Sequence, residues 1–130
     1  MRLVDLLKDK DFYRETGAVN DDEIKIAENE LGLCFSNEYT EYLKTIGSAV
    51  IYGHEFTGLG DKAIDNVVNI TSKIKNIDKM FPNNIYVIEE CNIDGILICQ
   101  DDKGNIFEFH PKSKPIKIFN SFAEYIKSLE

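Results

Sequence analysis

Residues 31–44 constrain the fold more than any other part of this sequence. Gly32 can take the left-handed conformation that ends many helices, and Ser36 is a typical side-chain cap for the start of the next one. Tyr39 and Leu43 then recur at helical spacing. The segment predicts a helix end, a short apolar turn and a second helix, so the fold must include two helices joined at this turn.

Helical patterns continue on both sides of this segment. Asn20 followed by Glu23 has the form of a capping box, as has Ser121 followed by Glu124. These pairs predict the start of the helix before the turn and the start of a C-terminal helix. Residues 11–19 are predicted to be a connection. A short N-terminal helix is indicated by three leucines on one helical face, Leu3, Leu6 and Leu7.

After Gly47 the apolar pattern changes from a helical period to that of strands. Residues 65–79 fit a helix by their apolar spacing, although their β-branched content also fits a strand, and we predict a helix. The predicted strands are 49–52 and 55–59 around a turn at Gly53-His54, 85–88 and 96–100 with both faces apolar, 106–109 after a hairpin turn, and an edge strand at 116–119.

The order of these elements predicts an α+β fold. Strands joined by tight turns are antiparallel, so we expect a mainly antiparallel sheet with the N-terminal helices and a C-terminal helix packed on one side of it. A chain of 130 residues suits one compact domain. We therefore expect residues 1–130 to form a single domain.

Charge is unevenly distributed along the chain. The formal net charge is −8, and the only base between Glu15 and Glu41 is Lys25. An acidic surface attracts basic partners and disfavours nucleic-acid binding, although a solvated helix face that aids solubility is the commoner interpretation. The sequence has no apolar run long enough to span a membrane and its N-terminus lacks a secretory pattern, so a cytoplasmic protein is expected.

Patterns typical of catalysis, metal binding or cofactor binding are weak. His54 and His110 have no ligand at metal spacing and are expected to be solvated. Residues 58–63 match the dinucleotide pattern G-x-G-x-x-A, but a turn explains them better because no buried strand precedes them. We expect no catalytic residue, no cofactor and no metal. The three cysteines lack the spacing of a zinc site or a disulfide framework and are expected to be small buried residues. They are Cys34, Cys91 and Cys99.

Five motifs, taken in order, resemble those of the SUKH superfamily (Smi/Knr type). Residues 20–43 are similar to its first two helices and the turn between them, and residues 53–59 to its G-x-E-x-x-GL segment. Residues 85–109 are similar to its central hairpins, and 121–126 to its closing SF-x-E-[FY]-[LI] helix. Ser36 stands where that family usually has a proline. The resemblance implies an α+β fold and protein binding.

Many bacterial members of that family are immunity proteins, so the resemblance implies an antitoxin that neutralises a cognate polymorphic toxin by stoichiometric binding. A basic toxin is expected, with an LXG-type nuclease as one candidate; a regulatory scaffold for a non-toxin partner is the alternative. The candidate partner-binding residues are Asp22, Glu28, Glu30, Glu38, Glu41, Tyr52 and Glu55. Tyr39 and Tyr42, at helical spacing, are expected in the core. The sequence leaves the homo-oligomeric state open.

Overall fold

The structure is a computed structural model that describes residues 2–63 and 65–129. Five helices lie within that part of the chain: α1 (Leu3–Lys8), α2 (Asp21–Leu31), α3 (Asn37–Thr45), α4 (Val67–Ile77) and α5 (Phe122–Ser128). The same part holds seven strands: β1 (Arg14–Glu15), β2 (Ala49–Ile51), β3 (His54–Glu55), β4 (Ile85–Glu90), β5 (Leu97–Asp101), β6 (Ile106–Phe109) and β7 (Ile116–Phe119).

The strands form two antiparallel sheets. One is three-stranded with the order β1-β2-β3, and the other is four-stranded with the order β4-β5-β6-β7. Phe56, just after β3, bridges to Glu89 of β4, and the Thr57 amide donates to the Ile88 carbonyl at 2.9 Å. These contacts join the two sheets. The α+β prediction is confirmed.

Side chains cap the predicted helices as the sequence indicates. Asn20 accepts a hydrogen bond from the Glu23 amide at 2.9 Å, and Ser36 Oγ accepts one from the Tyr39 amide at 3.0 Å. Gly32 ends α2 with φ of 67°, a left-handed conformation that glycine adopts without strain. These local contacts fix both ends of α2 and the start of α3.

Three local predictions are wrong. Residues 11–19 are not only a connection, because β1 pairs Arg14 with Val50 of β2. In place of the predicted strand 55–59, β3 comprises only His54–Glu55, because the backbone after it turns from β2 to β4 and Gly58 then bridges to Asn66. The turn of this hairpin is formed by Tyr52-Gly53, with φ of 49° and 82°, one residue earlier than predicted. The helix predicted within 65–79 is confirmed as α4.

Close backbone contacts explain why glycine occupies positions 47 and 58, the second of which begins the glycine-rich segment 58–63. A Cβ on Gly58 would lie 2.0 Å from the Gly47 carbonyl oxygen, and a Cβ on Gly47 would lie 1.9 Å from the Gly17 carbonyl oxygen. No side chain fits at either position because the backbones approach too closely. The next helix begins only at Val67, so these glycines allow loops to pack.

The apolar core lies on both faces of the four-stranded sheet. Tyr86 and Ile88 of β4 belong to the larger cluster, which includes buried residues of α1, α2, α3 and α5. Ile85 and Val87, which alternate with them, belong to a second cluster packed by partly buried isoleucines of α4. The N-terminal helices and α5 therefore share one face as expected, whereas α4 packs on the opposite face, which the expectation of helices on one side did not include. The first four residues of β4, Ile85–Ile88, are apolar because this part of the strand is buried on both faces.

A buried hydrogen-bond network ties α3 to the four-stranded sheet. The Tyr86 hydroxyl and Ser36 Oγ both donate to Gln100 Oε1, at 2.8 and 3.0 Å. Gln100 Nε2 donates to Glu38 Oε1 at 2.9 Å and to the Gly104 carbonyl at 3.1 Å. Burial raises the pKa of Tyr86 well above its usual value, so the hydroxyl stays protonated and able to donate. Both the oxygen and the nitrogen of the Gln100 side-chain amide are thereby hydrogen-bonded within the core.

The cysteines occupy three different environments. Cys99 is buried in β5, Cys91 is half-buried and Cys34 is exposed; all three are free thiols. The prediction of three buried cysteines is therefore correct only for Cys99. Cys34 is exposed because it lies in the turn between α2 and α3, whose neighbouring Phe35 fills the core instead.

Candidate partner-binding surface

Helix α2 presents an acidic outer face with one exposed apolar side chain. Asp22 and Glu30 are both exposed, and Ile26 is 56% exposed between them. A groove of about 270 Å³ runs beside this face and is lined by Glu23, Ile26, Glu30 and Asp61 among others. We call it the α2 groove. It places one apolar side chain beside acidic ones, and an apolar centre with a polar rim is the usual arrangement of a protein-binding surface.

Two of the predicted partner-binding acids accept hydrogen bonds from backbone amides of the protein. Glu28 accepts a hydrogen bond from the Phe35 amide at 2.8 Å, which holds the turn after α2. Glu38 accepts hydrogen bonds from the Phe122 and Ala123 amides at 2.7 and 3.0 Å, in addition to the one from Gln100. These amides open α5, so the Glu38 carboxylate lies at the positive end of that helix. Both acids are positioned to stabilise the fold.

Basic residues from outside the acidic stretch partly neutralise it. Arg2 pairs with Glu41 at 2.6 Å, and Lys44 pairs with Asp21 at 3.1 Å. All four side chains are substantially exposed, so the pairs contribute little to stability and can open when a partner binds. The acidic character of α2 therefore rests mainly on Asp22, Glu23 and Glu30.

Tyr52 and Glu55, the remaining predicted residues, lie on a different surface. They line a cavity of about 420 Å³ beside the β2–β3 hairpin, together with His54, Asp65, Glu89, Glu90 and neighbouring residues. We call it the hairpin cavity. The described residues that line it include four carboxylates and neither lysine nor arginine. Asp65, Glu89 and Glu90 were not predicted to belong to a site, because they are distant from the hairpin in sequence.

Glu89 is the buried centre of a hydrogen-bond cluster at this cavity. Its side chain accepts from the Tyr125 hydroxyl and lies 2.6 Å from His54 Nδ1. The expectation that His54 is solvated without a partner is therefore wrong, and His110 likewise contacts Glu108 at 2.9 Å. Burial, together with the hydrogen bond to Glu89, raises the pKa of Tyr125. The cluster connects β3, β4 and α5.

The half-buried Cys91 also lines the hairpin cavity. Burial and then the nearby Glu89 and Glu108 carboxylates raise the pKa of the Cys91 thiol to about 11. A thiol with such a pKa is almost entirely protonated near neutral pH and is a poor nucleophile. In residues 2–63 and 65–129, no group of three or more His, Cys, Asp or Glu side chains is arranged to hold a metal ion.

The predicted residues thus fall in three places rather than one. Asp22, Glu28 and Glu30 lie on α2, with Glu28 bonded to the turn that follows this helix. Glu38 and Glu41 lie on α3 near Arg2, and Tyr52 and Glu55 line the hairpin cavity. Tyr39 and Tyr42 are buried, as predicted. Among the described helices, none is long and apolar enough to cross a membrane.

Comparison with known families agrees with this architecture. A family model described as SMI1-KNR4 cell-wall (SUKH_5) matches residues 1–129. The chain belongs to the SUKH superfamily. This superfamily is associated with immunity proteins of toxin systems and generally consists of non-catalytic immunity or regulatory domains. A comparison with curated proteins gave no match.

Proposed function

We propose that this SUKH protein is a cytoplasmic immunity protein that neutralises a cognate polymorphic toxin by stoichiometric binding. The observation that carries the proposal is the family match over residues 1–129, because immunity proteins are associated with this family. An enzymatic role would require convergent reactive groups in a pocket. The half-buried Cys91 thiol, with its raised pKa, is poorly suited to such a role.

The charge distribution supports a basic toxin as the partner. The chain has a net charge of −8, and α2 presents several exposed acids while four carboxylates line the hairpin cavity. A nuclease, such as an LXG-type toxin, needs a basic surface to bind its substrate. Acidic side chains of an inhibitor can occupy that surface and raise the association rate by roughly 10- to 1,000-fold.

The two surfaces offer different kinds of contact. The α2 groove presents Ile26 between Glu23 and Glu30, which suits a basic segment that carries an apolar side chain. The hairpin cavity presents Tyr52 at its rim and carboxylates inside, which suits a single lysine or arginine side chain. We propose the α2 face as the main contact because Asp22 and Glu30 project from a rigid helix.

Affinity purification of the tagged protein from its native cells tests the proposal. A toxin partner should be recovered at a 1:1 ratio, and its expression alone should stop growth of a host cell. Variant D22K/E30K tests the α2 face because it reverses two exposed α2 acids, and D9K/D102K, with the same change in net charge, is the matched control. Recovery of the same partner by D22K/E30K, in the same amount at every salt concentration, would contradict the assignment of the α2 face.

The description of the matching family supports one alternative. It associates the family with the cell wall, which fits a regulatory scaffold that binds a non-toxin partner. In that case the purification would recover a protein whose expression alone leaves growth unchanged. The same experiment therefore separates the two functions.

A further inference from the structure

Strand β7 forms an exposed outer edge of the four-stranded sheet. It stands at the end of the strand order β4-β5-β6-β7. In the part of the chain that the structure describes, no hydrogen bond reaches Ile116–Phe119 from any segment other than β6. Ile116 is 60% exposed and Ile118 is 36% exposed. The backbone N–H and C=O groups of β7 that point away from β6 are therefore accessible to a further strand.

The other outer strands offer less backbone for pairing. β1 and β3, at the two edges of the three-stranded sheet, have two residues each. On the outer side of β4, the Thr57 amide already donates to the Ile88 carbonyl. β7 has four residues, and Pro115 immediately before it has no N–H to donate. An added strand would therefore pair with residues 116–119.

This edge carries positive charge on an otherwise acidic chain. Between Glu108 and Glu124 the sequence has three lysines and neither aspartate nor glutamate, although the net charge of the chain is −8. Lys117 lies within β7 and Lys114 lies two residues before it, and both are exposed. Among the described residues, no carboxylate is within ion-pair distance of either ammonium group. The two charges are thus available to attract an acidic partner.

The backbone, the isoleucines and the lysines together define the kind of segment that fits this edge. Ladder hydrogen bonds require an extended segment, the exposed isoleucines favour apolar β-branched neighbours, and the lysines favour aspartate or glutamate. A second copy of the chain would bring its own Lys114 and Lys117 to the same edge. Like charges on paired strands are unfavourable, so the lysines oppose self-pairing.

We propose that β7 binds an extended acidic segment of another protein, which adds a fifth strand to the four-stranded sheet. The inference is independent of the immunity function, because it uses a different surface and a partner of the opposite charge from the one that the α2 face attracts. Four residues can form only a few ladder hydrogen bonds. A dissociation constant on the order of 1 mM is therefore expected for an isolated peptide.

An NMR titration of the isotope-labelled full chain with a synthetic peptide of alternating glutamate and valine tests the proposal. The amide chemical shifts of residues 116–119 and of β6 should change as the peptide is added. Two control peptides each keep one property of the probe. Alternating glutamate and proline keeps the charge but lacks half of the backbone donors, and alternating lysine and valine keeps the strand preference but reverses the charge. Neither control should shift β7.

Charge-reversal variants test the contribution of the lysines. K114E/K117E should weaken peptide binding by about fivefold or more. K25E/K62E makes the same change in net charge at exposed positions outside β7 and should have much less effect. Circular dichroism verifies that each variant is folded.

Three results would overturn the proposal. The first is the absence of shifts in β7 at peptide concentrations up to about 5 mM. The second is that the control peptides shift β7 as much as the probe does. The third is that the shifts in β7 depend on the concentration of the protein alone, because this result would assign the edge to a second copy of the chain.

Discussion

Glu38 provides the sharpest test of how this fold is held together. It was predicted from sequence as a partner-binding acid, yet its carboxylate accepts three hydrogen bonds within the protein, from the Phe122 amide, the Ala123 amide and Gln100 Nε2. Replacing it with alanine removes all three acceptors. The perturbation therefore affects both the start of α5 and the buried network below α3.

The magnitude can be estimated from these contacts. A hydrogen bond to a charged group contributes about 1.5–3 kcal/mol, and water can replace part of the loss because Glu38 is only half-buried. We expect Glu38→Ala to lower the free energy of unfolding by about 3 kcal/mol. For a domain of this size that corresponds to a decrease in Tm of about 10 °C. Glu38→Gln keeps one acceptor oxygen, so its effect should be intermediate.

Glu41 on the same helix provides the control. Glu41 forms an ion pair with Arg2, and the two side chains are 45% and 66% exposed. Glu41→Ala should lower the free energy of unfolding by less than about 1 kcal/mol. Urea unfolding followed by circular dichroism measures both variants. Equal losses for Glu38→Ala and Glu41→Ala would refute the structural role that we assign to Glu38.

Three further predictions concern thiol reactivity, alkaline stability and partner association. Alkylation at about pH 8 should modify the exposed Cys34 fastest, Cys91 slowly because its pKa is raised to about 11, and Cys99 only on unfolding. Mass spectrometry measures the three rates, and equal rates in the folded protein would be inconsistent with this order. Burial raises the pKa of Tyr39, Tyr42 and Tyr86 above 10.0 in the folded state. The stability that comes from burying these three protonated hydroxyls is therefore complete below about pH 10 and is lost as pH rises further. In an alkaline titration, their tyrosinate absorbance should appear together with unfolding. Ionisation of all three in a natively folded protein would contradict their burial. Once the partner is isolated, D22K/E30K should slow association by roughly tenfold or more at low salt, whereas the equally charged control D9K/D102K should have little effect; identical rates at all salt concentrations would refute a role for the α2 acids.

Much of the fold could be predicted because its determinants are local. The caps at Asn20, Ser36 and Ser121 each lie three residues from the amide that they accept from, so the sequence shows them directly. Strand β6 was predicted with the bounds that the structure shows, because a hairpin turn precedes it. Strand β1 was missed because two residues give no periodicity to detect.

The candidate surfaces were harder to predict because distant parts of the chain form them. Glu38 contacts amides 84 and 85 residues further along, so its structural role was invisible in the sequence. The pairing of His54 with Glu89 spans 35 residues, and burial of that glutamate depends also on Tyr125. The number of acids between Glu15 and Glu41 indicated a negatively charged part of the chain. It could not separate the exposed acids of α2 from Glu28 and Glu38, which stabilise the fold.

The most direct test of the immunity function is the growth of a host cell that expresses the co-purified partner with and without this protein. The proposal predicts that the partner alone stops growth and that co-expression of the wild-type chain restores it, with less rescue by D22K/E30K. If the partner stops growth equally in the presence of a folded, equally expressed wild-type chain, the protein is not its antitoxin and the central claim is contradicted.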